Sequence, residues 1–114
     1  MRYFDNINNS QDIFFKAPST YGLFSSKEEL SYSLGACLYM PASREHLLKD
    51  ILLSNKMGTH TITLCLEDSV SSNQVVQAET NIINLFKSIG LLLKDNSSFM
   101  DSLPLIFKIG RAHV

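Results

Sequence analysis

Thr61–Val70 reads TITLCLEDSV, six strand-like residues that run straight into two carboxylates, Glu67 and Asp68. Thr61 to Leu66 is β-branched and apolar with little alternation. That pattern predicts a strand covered on both faces, as in a parallel sheet. Upstream, ACLYM (Ala36 to Met40) is a second apolar run, stopped by Pro41. Between the two, SREHLLKDILLSNK sets Leu47, Leu48, Ile51 and Leu52 on one face at helical spacing. Ser43 is the predicted N-cap of that helix, and Gly58 lies just past its end. Downstream, Val75, Ala78, Ile82, Leu85, Phe86 and Ile89 form a second helical stripe, with Gly90 as its predicted stop. A polar loop then leads to LPLIF, Leu103 to Phe107, the third predicted strand. Strands that alternate with helices of this length predict right-handed βαβ units and a parallel sheet.

That order gives the acid pair a meaning. In parallel α/β folds, ligands bind beyond the carboxyl ends of the strands. Glu67 and Asp68 close the second strand, and Pro41, Ser43 and Arg44 follow the first. Two acids and a guanidinium at one rim suit a hard cation, an anionic substrate, or both. Two plainer readings stand beside this one. An acid pair after a strand can complement the dipole of the next helix, and Asp68 can simply pair with Arg44.

The rest of the chain narrows the classes. It has 114 residues, 45% of them apolar and 18% charged, with a formal net charge of −1. This is one small domain of ordinary soluble composition. No basic field is present to attract nucleic acid or an anionic membrane surface. No run approaches the roughly 20 apolar residues of a membrane helix, and MRYFDNINNSQDIFF lacks the features of a signal peptide. The expected location is cytoplasmic. Cys37 and Cys65 fall in apolar runs and are expected to be buried free thiols. Residues 1 to 33 read as an arm with a short helix. Phe14, Phe15, Tyr21 and Phe24 are its expected packing anchors, and Ser26 with Glu29 fits a capping box. His46 and His60 read as surface residues, Tyr39 as core packing, and Cys65 as inert. No Cys/His spacing suggests zinc, and the five glycines are not clustered into a phosphate loop.

LGACLYMPASREHLLKDIL followed by LCLEDSV resembles the HpcH/HpaI aldolase and citrate lyase β-subunit family. The resemblance rests on a strand ending in Pro-Ala with Arg44 close behind, then a second strand ending in Leu-Glu-Asp-Ser-Val. It covers Leu34 to Phe107. The family's Asp before Leu-Glu-Asp is Cys65 here. The resemblance implies an α/β fold, the N-terminal part (about three strands) of a (β/α)₈ TIM barrel. It implies carbon–carbon lyase or aldolase chemistry on a small-molecule carboxylate or acyl-CoA, through an enolate stabilised by Mg²⁺, in a parent that is a homo-oligomer. Arg44 matches a substrate-binding position. Glu67 and Asp68 match supporting catalytic acids at the mouth, and the direct metal ligands are expected on later strands. A non-catalytic, ligand-binding or regulatory barrel domain of the same descent is the alternative.

The tail KIGRAHV, residues 108–114, departs from the family's third strand, where Ile109 stands at the expected arginine. It resembles a common short-read sequencing adapter translated in frame, and 108–114 is expected to be a non-native tail. A whole barrel takes about 250 residues. The expected organisation is therefore an arm at 1–33, a partial barrel domain at 34–107 and the tail, with this piece inactive alone and its parent a lyase. A complete small α/β domain is the reading that a genuine C-terminus at Val114 would require.

Overall fold

The structure, a computed structural model, describes residues 1–110. The chain divides into two compact units, Met1–Ser33 and a second that begins at Leu34.

The first unit holds two short helices, α1 (Ser10–Ile13) and α2 (Lys27–Tyr32). The predicted capping box forms: Glu29 N–H donates to Ser26 Oγ at 3.1 Å, and Ser26 N–H donates to Glu29 Oε2 at 3.0 Å. The chain start is tied down by Tyr21 N–H donating to the Met1 carbonyl at 2.7 Å and by Arg2 Nε donating to the Pro18 carbonyl at 3.0 Å. Tyr21 is buried, but Phe15 and Phe24 stand in solvent and are not the anchors expected.

The second unit is a three-stranded parallel sheet in the order β1 (Cys37–Pro41), β2 (Thr61–Cys65), β3 (Ile106–Gly110). Helix α3 (Leu47–Lys56) joins β1 to β2, and α4 (Val75–Asp95) lies between β2 and β3. All five residues of the central strand are buried, as its unbroken apolar run predicts. The register aligns Leu38 with Ile62 and Phe107, and Met40 with Leu64 and Ile109. On this face Met40, Ile62 and Leu64 join Ile51 of α3 and Ala78, Ile82, Leu85 and Ile89 of α4 in one core. The other face carries Cys37 and Tyr39, Thr61, Thr63 and Cys65, and Lys108. Its hydroxyls are satisfied: Thr61 Oγ1 donates to the Leu34 carbonyl at 2.7 Å, and Thr63 Oγ1 lies 3.2 Å from Cys37 Sγ. A parallel sheet with its apolar face covered by the connecting helices is a partial α/β fold.

Several sequence expectations shift, each for a local reason. Ser43 does not cap α3. After Pro41 the chain spends Ala42–His46 on a turn, closed by Arg44 N–H donating to the Pro41 carbonyl at 3.2 Å, so the helix starts at Leu47. Gly90 does not stop α4. The helix continues to Asp95 because Leu93, one turn further, still packs on the core. Burial of that side chain outweighs the roughly 1 kcal/mol that an interior glycine costs relative to alanine. The third strand begins at Ile106 rather than Leu103. Pro104 has no N–H for the ladder, and pairing starts where Ile106 N–H donates to the His60 carbonyl at 3.1 Å. Lys108 to Gly110 continue this strand against Thr63 to Cys65. Ladder pairing uses the main chain, so a tail of any suitable β propensity completes it. The rest of the predicted tail, 111–114, lies outside the described residues. Cys37 is exposed and Tyr39 is 67% exposed, not core, because both sit on the edge strand's second face.

Candidate functional site at the carboxyl ends of the strands

The three strands end level with one another, Pro41 beside Cys65 beside Gly110. The ladder runs one residue further on each side of β2. Ala42 N–H donates to the Cys65 carbonyl at 2.9 Å, and Leu66 N–H donates to the Gly110 carbonyl at 3.1 Å. Both loops therefore leave the sheet from fixed points at the same rim.

The loop after β2 is anchored by Val70, buried in the core, and closed by Val70 N–H donating to the Glu67 carbonyl at 2.8 Å. The pinned turn leaves Asp68 and Ser69 exposed at its tip and Glu67 half-buried. The acid pair does not serve the next helix directly. A 3₁₀ turn at Ser72–Gln74 intervenes, and the first turn of α4 holds no acid.

The same turn folds around Cys65. Glu67 N–H approaches Sγ at 3.5 Å. Hydrogen bonds from the Ser69 hydroxyl, then from the Ser69 and Glu67 main chain, hold the thiol below the ordinary range, against burial and the charge of Asp68. A group lowered on folding adds stability above its unfolded pKa of about 8.5 and loses it as pH falls through the folded value. In a Cys37→Ser background, the ultraviolet thiolate absorbance of Cys65 is expected to titrate below the ordinary range. Ser69→Ala is expected to move that midpoint upward, and an unmoved midpoint would mean that the hydroxyl does not hold the thiolate.

Arg44 sits on the neighbouring loop. Its Nε donates to Asp50 Oδ2 at 2.7 Å, so its ion-pair partner is Asp50 of α3 rather than Asp68. The pair is half-exposed and contributes at most about 1 kcal/mol. Its main consequence is orientation, since one edge of the guanidinium is taken and the Nη groups remain for an anion. The structure thus brings Glu67 and Asp68 together on one loop and puts Arg44 on the adjacent one.

Sequence reasoning missed Asn81. From α4, its Nδ2 donates to the Ala42 carbonyl at 3.0 Å and lies 3.4 Å from the Arg44 carbonyl, while its Oδ1 accepts from Gln77 Nε2 at 2.8 Å. One side chain therefore fastens the Arg44 loop to a helix 37 positions away. A polar residue beside the apolar stripe of a helix was the only signal, and many solvated residues give the same one.

Among the described residues, no group of three or more His, Cys, Asp and Glu side chains is placed to hold a metal ion. Glu67 and Asp68 are two adjacent oxygen donors and need further ligands to complete a centre. Among the same residues, no helix is long and apolar enough to cross a membrane.

The acids and the arginine thus lie beyond the carboxyl ends of a parallel sheet, the end at which α/β folds bind their ligands. Residues 28–112 match the family of C–C bond lyases of the TIM-barrel fold. The chain belongs to that family. No curated protein and no solved structure matches it. Within the C–C bond lyases of this fold, the described residues supply three parallel strands and the helices that cover one face. The loops that carry Arg44, Glu67 and Asp68 all fall inside the matched span.

Proposed function

We propose that the protein carrying this chain makes or breaks a carbon–carbon bond next to a carboxylate or acyl-CoA thioester, as in the HpcH/HpaI and citrate lyase β-subunit group. The observation that supports this most is the family match across the strand-end loops. Cleavage of such a bond leaves its electron pair on the α-carbon and the adjoining carbonyl. Negative charge collects on oxygen until the α-carbon takes a proton. Preorganised positive groups aimed at that charge lower the barrier. Arg44, braced by Asp50 and by Asn81, holds the anionic end of the substrate through its remaining guanidinium N–H groups. Glu67 and Asp68 present carboxylates at the same rim, where they orient water or a cationic group. Mg²⁺, which the resemblance implies, would take further oxygen ligands beside Glu67 and Asp68.

The test starts at the source locus, read across the codon for Phe107. The longest natural product carrying residues 1–107 is then assayed for deuterium exchange at the α-carbon of acyl-CoA and dicarboxylate substrates, with and without Mg²⁺. Exchange that Glu67→Gln together with Asp68→Asn reduces by about 10²-fold supports the reading. Binding without exchange in the wild-type protein would overturn the lyase proposal and favour a ligand-binding domain.

A further inference from the structure

Helix α4 carries a second apolar stripe that the core does not use. Ala78, Ile82, Leu85 and Ile89 are buried. On the other side of the helix, Val76, Ile83 and Leu91 are 76%, 55% and 63% exposed. With the exposed Thr80, Lys87 and Lys94 they fall within about 80° of the helix circumference. From Val76 to Leu91 the stripe runs about 22 Å along the axis. Single apolar residues on a surface need no partner. Apolar residues in line along one helix, rimmed by polar ones, form the pattern of a docking surface.

Spacing selects the partner. Val76 lies seven residues before Ile83, and Leu91 lies eight after it. The apolar stripe therefore reads nearly the same in both directions about a point between Ile83 and Asn84. Two copies of α4 laid antiparallel across a twofold axis at that point set Val76 against the partner's Leu91. Ile83 then meets the partner's Ile83 at the axis. An isologous interface requires this self-complementarity, in which residue i meets j and j meets i.

Charge selects the direction. A parallel pair in register would also match apolar with apolar, but it would stack Lys87 on the partner's Lys87 and Lys94 on the partner's Lys94. Like charges so placed are destabilising. The antiparallel pair sets Lys87 opposite the partner's Thr80 and beside the partner's Glu79, an opposite charge. It also brings helix ends of opposite polarity together. Glu79 and Asp95 border the stripe that holds Lys87 and Lys94, so its charge is mixed in sign. A wholly acidic partner would meet repulsion at those borders, whereas a second copy supplies both signs. We propose that the outer face of α4 is a twofold interface through which this chain pairs with a second copy of itself. This goes beyond the lyase reading and does not depend on it.

The test uses the longest natural protein that carries residues 1–107, in a Cys37→Ser background under mild oxidation. Val76→Cys mixed with Leu91→Cys is expected to give a disulfide-linked dimer joining those two positions, identified by peptide mass mapping. Neither variant alone is expected to link through its new cysteine. Sedimentation equilibrium then measures association without a cross-link. Ile83→Glu sets two carboxylates against each other at the axis and is expected to weaken pairing at least about tenfold. Lys87→Glu is expected to weaken it less, and Lys87→Glu with Glu79→Lys to recover part of the loss. Circular dichroism checks that each variant keeps its helix content. A linked dimer of Val76→Cys alone would indicate a parallel pair and overturn the proposal. So would a mixture that forms no Val76–Leu91 link, or a folded Ile83→Glu variant that associates like wild type.

Discussion

Replacing Ile62 by alanine is expected to lower the stability of the second unit by about 2–5 kcal/mol, a large fraction of what holds a small domain folded. Ile62 is fully buried in the central strand, in the cluster that includes Ile51 and the α4 stripe. The substitution removes several buried carbons. It also leaves a cavity whose walls, fixed by ladder pairing on both sides of β2, collapse only partly. Ile51→Val, which takes one methyl from the facing helix, is expected to cost about 0.5–1.5 kcal/mol. Urea unfolding followed by far-ultraviolet circular dichroism measures both. Similar midpoints for the two variants would show that the β2–helix interface is not the principal core.

The second large effect is expected at Arg44. In the longest natural protein that carries this chain, Arg44→Ala is expected to reduce kcat/KM for an anionic substrate by about 10²–10³, as loss of one preorganised charge-stabilising group does. Arg44→Lys is expected to restore only part of it. A lysine keeps the charge but cannot present the planar fork while also holding Asp50. Asn81→Leu tests the support separately. It leaves Arg44 in place and removes the donor that fastens the Ala42 and Arg44 carbonyls to α4. The expected result is a smaller loss of kcat/KM, together with about 0.5–1.5 kcal/mol of stability, the net worth of the part-buried hydrogen bond to the Ala42 carbonyl. An unchanged kcat/KM in Arg44→Ala would remove the arginine from the substrate site.

The parallel order of strands and helices was readable from the chain because each element carries its own signal. The doubly apolar run at Thr61–Cys65, the stripe from Val75 to Ile89 and the capping box at Ser26 and Glu29 are all local. Element ends were less legible. Gly90 is an ordinary helix-stop signal, overridden by the burial of Leu93, whose core partners come from distant parts of the chain. Pro41 and Ser43 suggested an immediate helix, but Ala42 still pairs with Cys65, and that bond exists only when β1 lies beside β2.

The site divides in the same way. Sequence by itself determined that an acid pair ends one strand and an arginine follows another, because position along a strand fixes which end a residue occupies. Only the tertiary structure decided that Arg44 pairs with Asp50, that Asn81 holds its loop, and that Ser69 and Glu67 enclose the Cys65 sulfur. The physical reason is range. Backbone propensity and hydrophobic period act over a few residues and leave a pattern in the chain. Hydrogen-bond partners are selected by folding from many chemically equivalent side chains.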